Sequence, residues 1–127
     1  MGRKSLETVL GMDPWPYPKP VFVLSNTLSA LPAKIMGKAE IVNGGLKDIL
    51  RYLHDRGFKN LYIDGGQTIQ SFLREDLIDE MIITRVPILL GSGVPLFGKN
   101  DLELQFEHLS TEVLNNMLVR SRYLRKR

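Results

Sequence analysis

Cysteine is absent from these 127 residues and histidine occurs only twice. Without cysteine there is no disulfide, no thiolate metal ligand and no cysteine nucleophile. Two histidines, His54 and His108, are too few to build a metal centre, and none is predicted. No run of about 18 apolar residues exists and no signal-peptide pattern opens the chain, so neither a membrane partner nor a secretory leader is expected. These absences predict a soluble, cytoplasmic protein. Acidic residues are missing from the end of the chain. Residues 120–127 hold five of the 17 basic residues and none of the 14 acidic ones, leaving 12 basic against 14 acidic elsewhere. The net charge of +3 thus belongs to a tail, which reads as a solvated strand end. No helix-turn-helix, zinc or ribonucleoprotein signature is present, so a nucleic-acid partner is not expected.

The length suits one domain spanning 1–127. A short helix is predicted over Ser5 to Met12. Prolines 14, 16, 18 and 20 then impose an extended connector. Val21 to Leu24 is a continuous apolar run, as in a strand buried on both faces, and Ala39 to Val42 is a second, shorter one. Leu46, Ile49, Leu50 and Leu53 recur at helical spacing over Leu46 to Arg56, with Gly57 as the stop. Leu61 to Ile63 reads as strand, Thr68 to Leu73 as helix and Ile78 to Pro87 as strand. Leu102 to Leu114 and Met117 to Leu124 flank Asn115-Asn116, a two-residue hairpin turn. The fold class is therefore α/β: a three-layer arrangement around a mixed, mostly parallel sheet, ending in an antiparallel hairpin.

One pattern recurs with chemical content. Ile41-Val42-Asn43-Gly44-Gly45 and Tyr62-Ile63-Asp64-Gly65-Gly66 both run from strand through Gly-Gly into a helix. The N–H groups and dipole of a helix start favour an anion, and glycine lets a phosphate approach the backbone. For Gly44-Gly45 a plain turn suffices. Gly65-Gly66 is followed by Gln67 and Thr68, both able to donate to phosphate oxygens. A second candidate is Gly2-Arg3-Lys4-Ser5, where two cations stand at a helix start against the usual dipole preference. Ser25-Asn26-Thr27 forms a third, off the C-terminal end of a buried strand. Together the three suit a long polyanion such as a dinucleotide.

MGRKSLETV resembles the GRKT/GRKS helix start of dihydrofolate-reductase-like proteins. LYIDGGQTIQSFL followed by LIDEMIITRVPILLGSGVPLFG resembles the reductase domain of the bifunctional riboflavin-biosynthesis deaminase/reductase and its stand-alone relatives. The likeness runs from Met1 to about Arg125. It implies a dihydrofolate-reductase-like fold and an NADPH-dependent reductase acting on a small, pterin- or pyrimidine-like substrate. It places Arg3, Lys4 and Ser5, beside Gly2, on the pyrophosphate and 2′-phosphate. Ser25 and Asn26 fall at the adenosine end, Gly65, Gly66, Gln67 and Thr68 around the pyrophosphate, and Ile63 near the nicotinamide. Asp64 departs from relatives with a third glycine there. Thr84 matches a position near substrate, Asp79 and Glu80 read as packing and surface residues, and no catalytic residue is assigned.

The resembled family has about 35–45 residues ahead of the GRKS-type start, which is consistent with a complete domain of typical size. The sequence is therefore expected to be a domain incomplete at its N-terminus, with sheet edges that invite a homodimer. The competing reading is a catalytically silent nucleotide-binding or oligomerisation module.

Overall fold

Leu6 and Val9 lie three residues apart on one stripe, and their burial holds Arg3–Val9 as helix α1 in the computed structural model, which describes residues 1–127. The elements that follow are β1 (Val21–Leu24), a 3₁₀ turn at Ala33–Ile35, β2 (Ala39–Val42), α2 (Leu46–Asp55), α3 (Gly66–Arg74), β3 (Glu80–Arg85), β4 (Phe106–Leu114) and β5 (Leu118–Arg125). Residues 1–69 and 70–127 pack as two compact units, and the boundary falls inside α3. No helix is long and apolar enough to cross a membrane.

In the first unit, β1 explains its own unbroken apolar run. Val21 and Val23 join Met1, Leu6, Val9 and Ile35 in one core cluster. Phe22 and Leu24, on the opposite face, pack against a second cluster of Val42, Ile49 and Leu53. With both faces covered, alternation would serve no purpose. β1 pairs in parallel with β2, from Val21↔Ala39 to Leu24↔Val42. Along its other edge, the Met1 nitrogen donates to Phe22 O and Leu24 N–H donates to Met1 O. α2 buries Ile49 and Leu53, one turn apart. It ends as predicted at Gly57, whose φ of +90° only glycine adopts easily. Gly57 N–H and Phe58 N–H bond back to His54 O and Leu53 O, closing the last turn.

The second unit closes α3 in the same way, without glycine. Asp76 N–H and Leu77 N–H return to Leu73 O and Phe72 O, and Asp76 takes the left-handed φ of +53°. Aspartate tolerates that region better than most residues. Here Arg125 also grips it with two hydrogen bonds, at 2.7 and 3.0 Å. The strands run in the order β3-β5-β4, antiparallel throughout, with a bulge between His108 and Ser110. Asn115 and Asn116 both have positive φ, as a primed hairpin turn demands.

The α/β class, the strands of both directions and the terminal hairpin stand as the sequence predicts, but the parallel part is smaller. It comprises β1 and β2 alone, and the antiparallel strands form a separate three-stranded sheet. Leu61 to Ile63 forms no ladder. Leu61 packs on the α2 cluster while Tyr62 is exposed, so apolar packing is met without strand pairing. The hairpin's first strand starts at Phe106 rather than Leu102, and α3 extends at both ends beyond Thr68 to Leu73.

The basic tail is paired rather than merely solvated. Arg120 meets Glu112, Arg122 meets Glu80, Arg125 meets Asp76, and Arg127 meets Asp76 and Asp79. The hydrogen bond from Arg125 holds the Asp76 carboxyl below the usual carboxylate range, and Arg122 does the same for Glu80. Lowered folded-state pKa values mean that the native chain binds fewer protons than the unfolded one. This stabilisation is complete above the ordinary carboxylate pKa of about 4 and is lost as pH falls below it. The melting temperature should therefore drop between about pH 5 and pH 3, and drop less in Arg125→Ala, as thermal melts across that window will show.

Candidate nucleotide site

α1 is entered through Gly2, whose backbone is extended and which has no side chain to cap the helix. The isolated parallel bridge from Gly2 to Leu24 fixes this start beside the C-terminal end of β1. Leu6 N–H to Gly2 O is the first bond of the helix, so the preceding N–H groups must be satisfied from outside it. α3 begins likewise, with Ile69 N–H to Gly65 O.

The two helix starts meet glycine to glycine. A Cβ on Gly65 would overlap Ser5 Oγ and stand 3.7 Å from Gly2 N, and a Cβ on Gly2 would stand 2.7 Å from Thr68 Oγ1. Gly65 also has φ +96°, so both space and backbone demand glycine there. Gly66 differs, because nothing lies within 4 Å of its would-be Cβ. Gly2, Arg3, Lys4 and Ser5 are thus gathered with Gly65, Gly66, Gln67 and Thr68, although about 60 residues separate the motifs in the chain. Neither helix has an acid in its first turn. α2, by contrast, carries Asp48 there. Two helix starts without an acid in the first turn adjoin Arg3, which meets Glu7 at 3.8 Å, and Lys4, whose ammonium has no partner.

The remaining sequence candidates divide. Ser25 Oγ accepts from Leu28 N–H at 3.0 Å and Thr27 N–H at 3.3 Å, so it shapes its own turn. Asn26 Oδ1 accepts from Gly44 N–H at 3.1 Å, tying the ends of β1 and β2 together. Gly44-Gly45 therefore acts as a turn, with φ +102° at Gly44. Ile63 is half-buried in the extended stretch that delivers Asp64. Asp79 and Glu80 are engaged by Arg127 and Arg122 at the unit surface, and Thr84 is exposed on β3 opposite Arg120. His108 bonds Thr111 Oγ1 at 2.7 Å, while His54 lies exposed on α2 in the other unit.

Asp64 has a place that the sequence did not reveal. Its Oδ1 accepts Gly65 N–H at 2.8 Å, taking up one donor of the α3 entry. Its Oδ2 lies 3.5 Å from Tyr17 OH. Burial, then the Asp64 charge, raises the Tyr17 pKa, so this phenol stays protonated and serves as a donor. Tyr17 packs edge-on against Trp15 at 5.3 Å, within the connector that the prolines shape.

Set beside known proteins, the chain matches the RibD C-terminal domain over residues 1–119. It is 33% identical over 112 residues to the uncharacterized protein YwjB of Bacillus subtilis strain 168, covering 84% of this chain and 63% of that one. A crystal structure described as a candidate riboflavin biosynthesis protein from Shewanella sp. PV-4 is 55% identical, with a TM-score of 0.97 over 100% of this chain and 72% of that one. A pyrimidine reductase-like protein from Corynebacterium diphtheriae shares the fold at 21% identity and a TM-score of 0.62, over 85% of this chain and 50% of that one. The chain spans less than two thirds of the curated relative's length. It belongs to the RibD C-terminal domain family and has that family's dihydrofolate-reductase-like α/β fold.

Proposed function

We propose that this chain is a riboflavin-pathway type reductase domain that holds NADPH for hydride transfer to a small, pterin- or pyrimidine-like substrate in the cytoplasm. The observation that carries this reading is the meeting of two helix starts at Gly2 and Gly65, neither with an acid in its first turn. The residues present fit a dinucleotide phosphate chain. Gly66 opens onto free space, two helix ends converge, and Arg3, Lys4, Ser5 and Thr68 supply cations and hydroxyls.

In this role Arg3 and Lys4 bind the 2′-phosphate and pyrophosphate, with Ser5 donating beside them. Gly66, Gln67 and Thr68 present the α3 start from the other side. Gly65 contributes its missing side chain rather than its N–H, since Asp64 holds that group. Ser25 and Asn26 give the adenosine end a fixed turn, and Ile63 offers an apolar contact towards the nicotinamide. NADPH itself supplies the hydride, so the protein's task is placement. Removing Arg3 tests the assignment: Arg3→Ala should weaken NADPH binding about tenfold and NADH binding far less, as one charge-assisted contact on a half-exposed side chain warrants. Calorimetric titration with both cofactors measures it, and equal affinities unchanged by the substitution would refute the reading.

We also propose that the chain pairs with a second copy. Ile88, Leu89, Leu90 and Val94 stand clustered in sequence and exposed in unit 70–127, and Leu89 is fully open. A surface this apolar favours burial against a partner. Light scattering should show a dimer that Leu89→Glu converts to monomer, whereas a monomeric parent chain would exclude it.

A further inference from the structure

Unit 70–127 contains a cavity of about 290 Å³ lined by the end of α3, β3, the start of β4 and the loop before it. Its walls are apolar: Leu73 is buried, Met81 and Phe106 are half-buried, and the partly exposed Phe97 forms its loop side. The loop is pinned. Gln70 Nε2 donates to Pro95 O at 3.0 Å and Leu96 O at 3.3 Å. Small-molecule sites begin at about 300 Å³.

Hydrophobic walls alone would suit any oily molecule, but the charged residues here select. Arg74 and Lys99 are the two charged residues among those lining the cavity, and none is acidic. Arg74 commits one N–H to Ser71 Oγ at 2.9 Å, and Lys99 has no partner. Asp101 and Glu103, in the same loop, do not line the cavity, and Asp76 is already held by Arg125 and Arg127. We propose that this cavity is a binding site for a small amphiphilic carboxylate. A ring-sized apolar body lies on Leu73, Met81, Phe97 and Phe106, and the carboxylate faces Arg74 and Lys99. The site lies wholly within 70–127 and does not rest on the NADPH reading.

The test uses 3-phenylpropionate and its neutral amide on the full chain, followed through ¹³C-labelled methionine methyls. Met81 lines the cavity, while Met1, Met12, Met36 and Met117 do not and act as internal controls. The carboxylate should shift the Met81 methyl saturably and leave the other four in place. The amide should bind about fivefold more weakly, the size of a partly exposed ion-pair contribution. Arg74→Gln with Lys99→Gln, both at exposed positions, should abolish that preference without affecting the fold. Three results would overturn the proposal: no saturable shift at Met81, equal shifts at all five methyls, or a double variant that still prefers the carboxylate.

Discussion

Gly66→Val should lower NADPH affinity by at least about 100-fold, or about 2.7 kcal/mol, while the melting temperature stays within a few degrees of the parent. The structure separates these two effects. A Cβ on Gly66 meets nothing within 4 Å and the residue lies in helical backbone, so valine has room and the fold has no reason to suffer. Leaving glycine for a residue with fewer unfolded conformations even favours the native state slightly. In the proposed site this same open space admits the phosphate to the α3 start, and a branched side chain fills it. Each charge-assisted hydrogen bond to a phosphate oxygen there is worth about 1.5–3 kcal/mol, and a displaced pyrophosphate forfeits more than one. Gly65→Ala makes the opposite case. With φ at +96° and its Cβ on Ser5 Oγ, it should destabilise the fold by about 1–3 kcal/mol. Calorimetry and thermal melts on the two variants distinguish a binding glycine from a structural one. Unaltered NADPH affinity in Gly66→Val would return this Gly-Gly pair to the status of a turn.

Local chemistry was legible in the sequence wherever one segment could satisfy itself. Gly57 ends α2 because a left-handed residue is needed there, and Asn115-Asn116 turns the hairpin because both positions need positive φ. Val21 to Leu24 announces two covered faces because four consecutive apolar residues cannot face water on either side. The two glycine-led helix starts were legible as separate motifs, and the fold adds their contact: Gly2 and Gly65 fit because each lacks the Cβ that the other's neighbour would meet. Long-range pairing remained hidden. Asp76 closes α3 in a left-handed conformation normally given to glycine, with Arg125 supplying the fixing contact from 49 residues away. The charges of the C-terminal tail likewise find partners one strand over, which a linear charge count cannot show. Leu61 to Ile63 has strand composition without a ladder, because composition records what a segment can bury and not whether a neighbour's N–H and C=O groups lie alongside. Asp64 and Tyr17 meet across 47 residues through a connector whose course the prolines constrain but do not specify.

Leu6→Ala and Leu53→Ala should each remove about 2–5 kcal/mol of stability, yet only the first should weaken NADPH binding beyond what destabilisation explains. Leu6 and Leu53 are both buried, in separate clusters of unit 1–69. Truncating either leaves a cavity that close-packed neighbours refill only in part. Their helices differ in what they carry. α1 has seven residues, too few to persist alone, so the position of its first turn depends on Leu6 and Val9 against β1. Arg3, Lys4 and Ser5 sit on that turn. Once Leu6 is shortened, the turn can shift or fray, and the cations lose the geometry that charge-assisted hydrogen bonds require. α2 presents Asp48 at its start and no phosphate contact, so loosening it leaves the glycine-to-glycine junction in place. The expected result is an NADPH dissociation constant raised about tenfold in Leu6→Ala and less than about twofold in Leu53→Ala, measured at a temperature where both variants stay folded. Equal weakening in both would mean that affinity follows global stability, and that the start of α1 does not hold the cofactor.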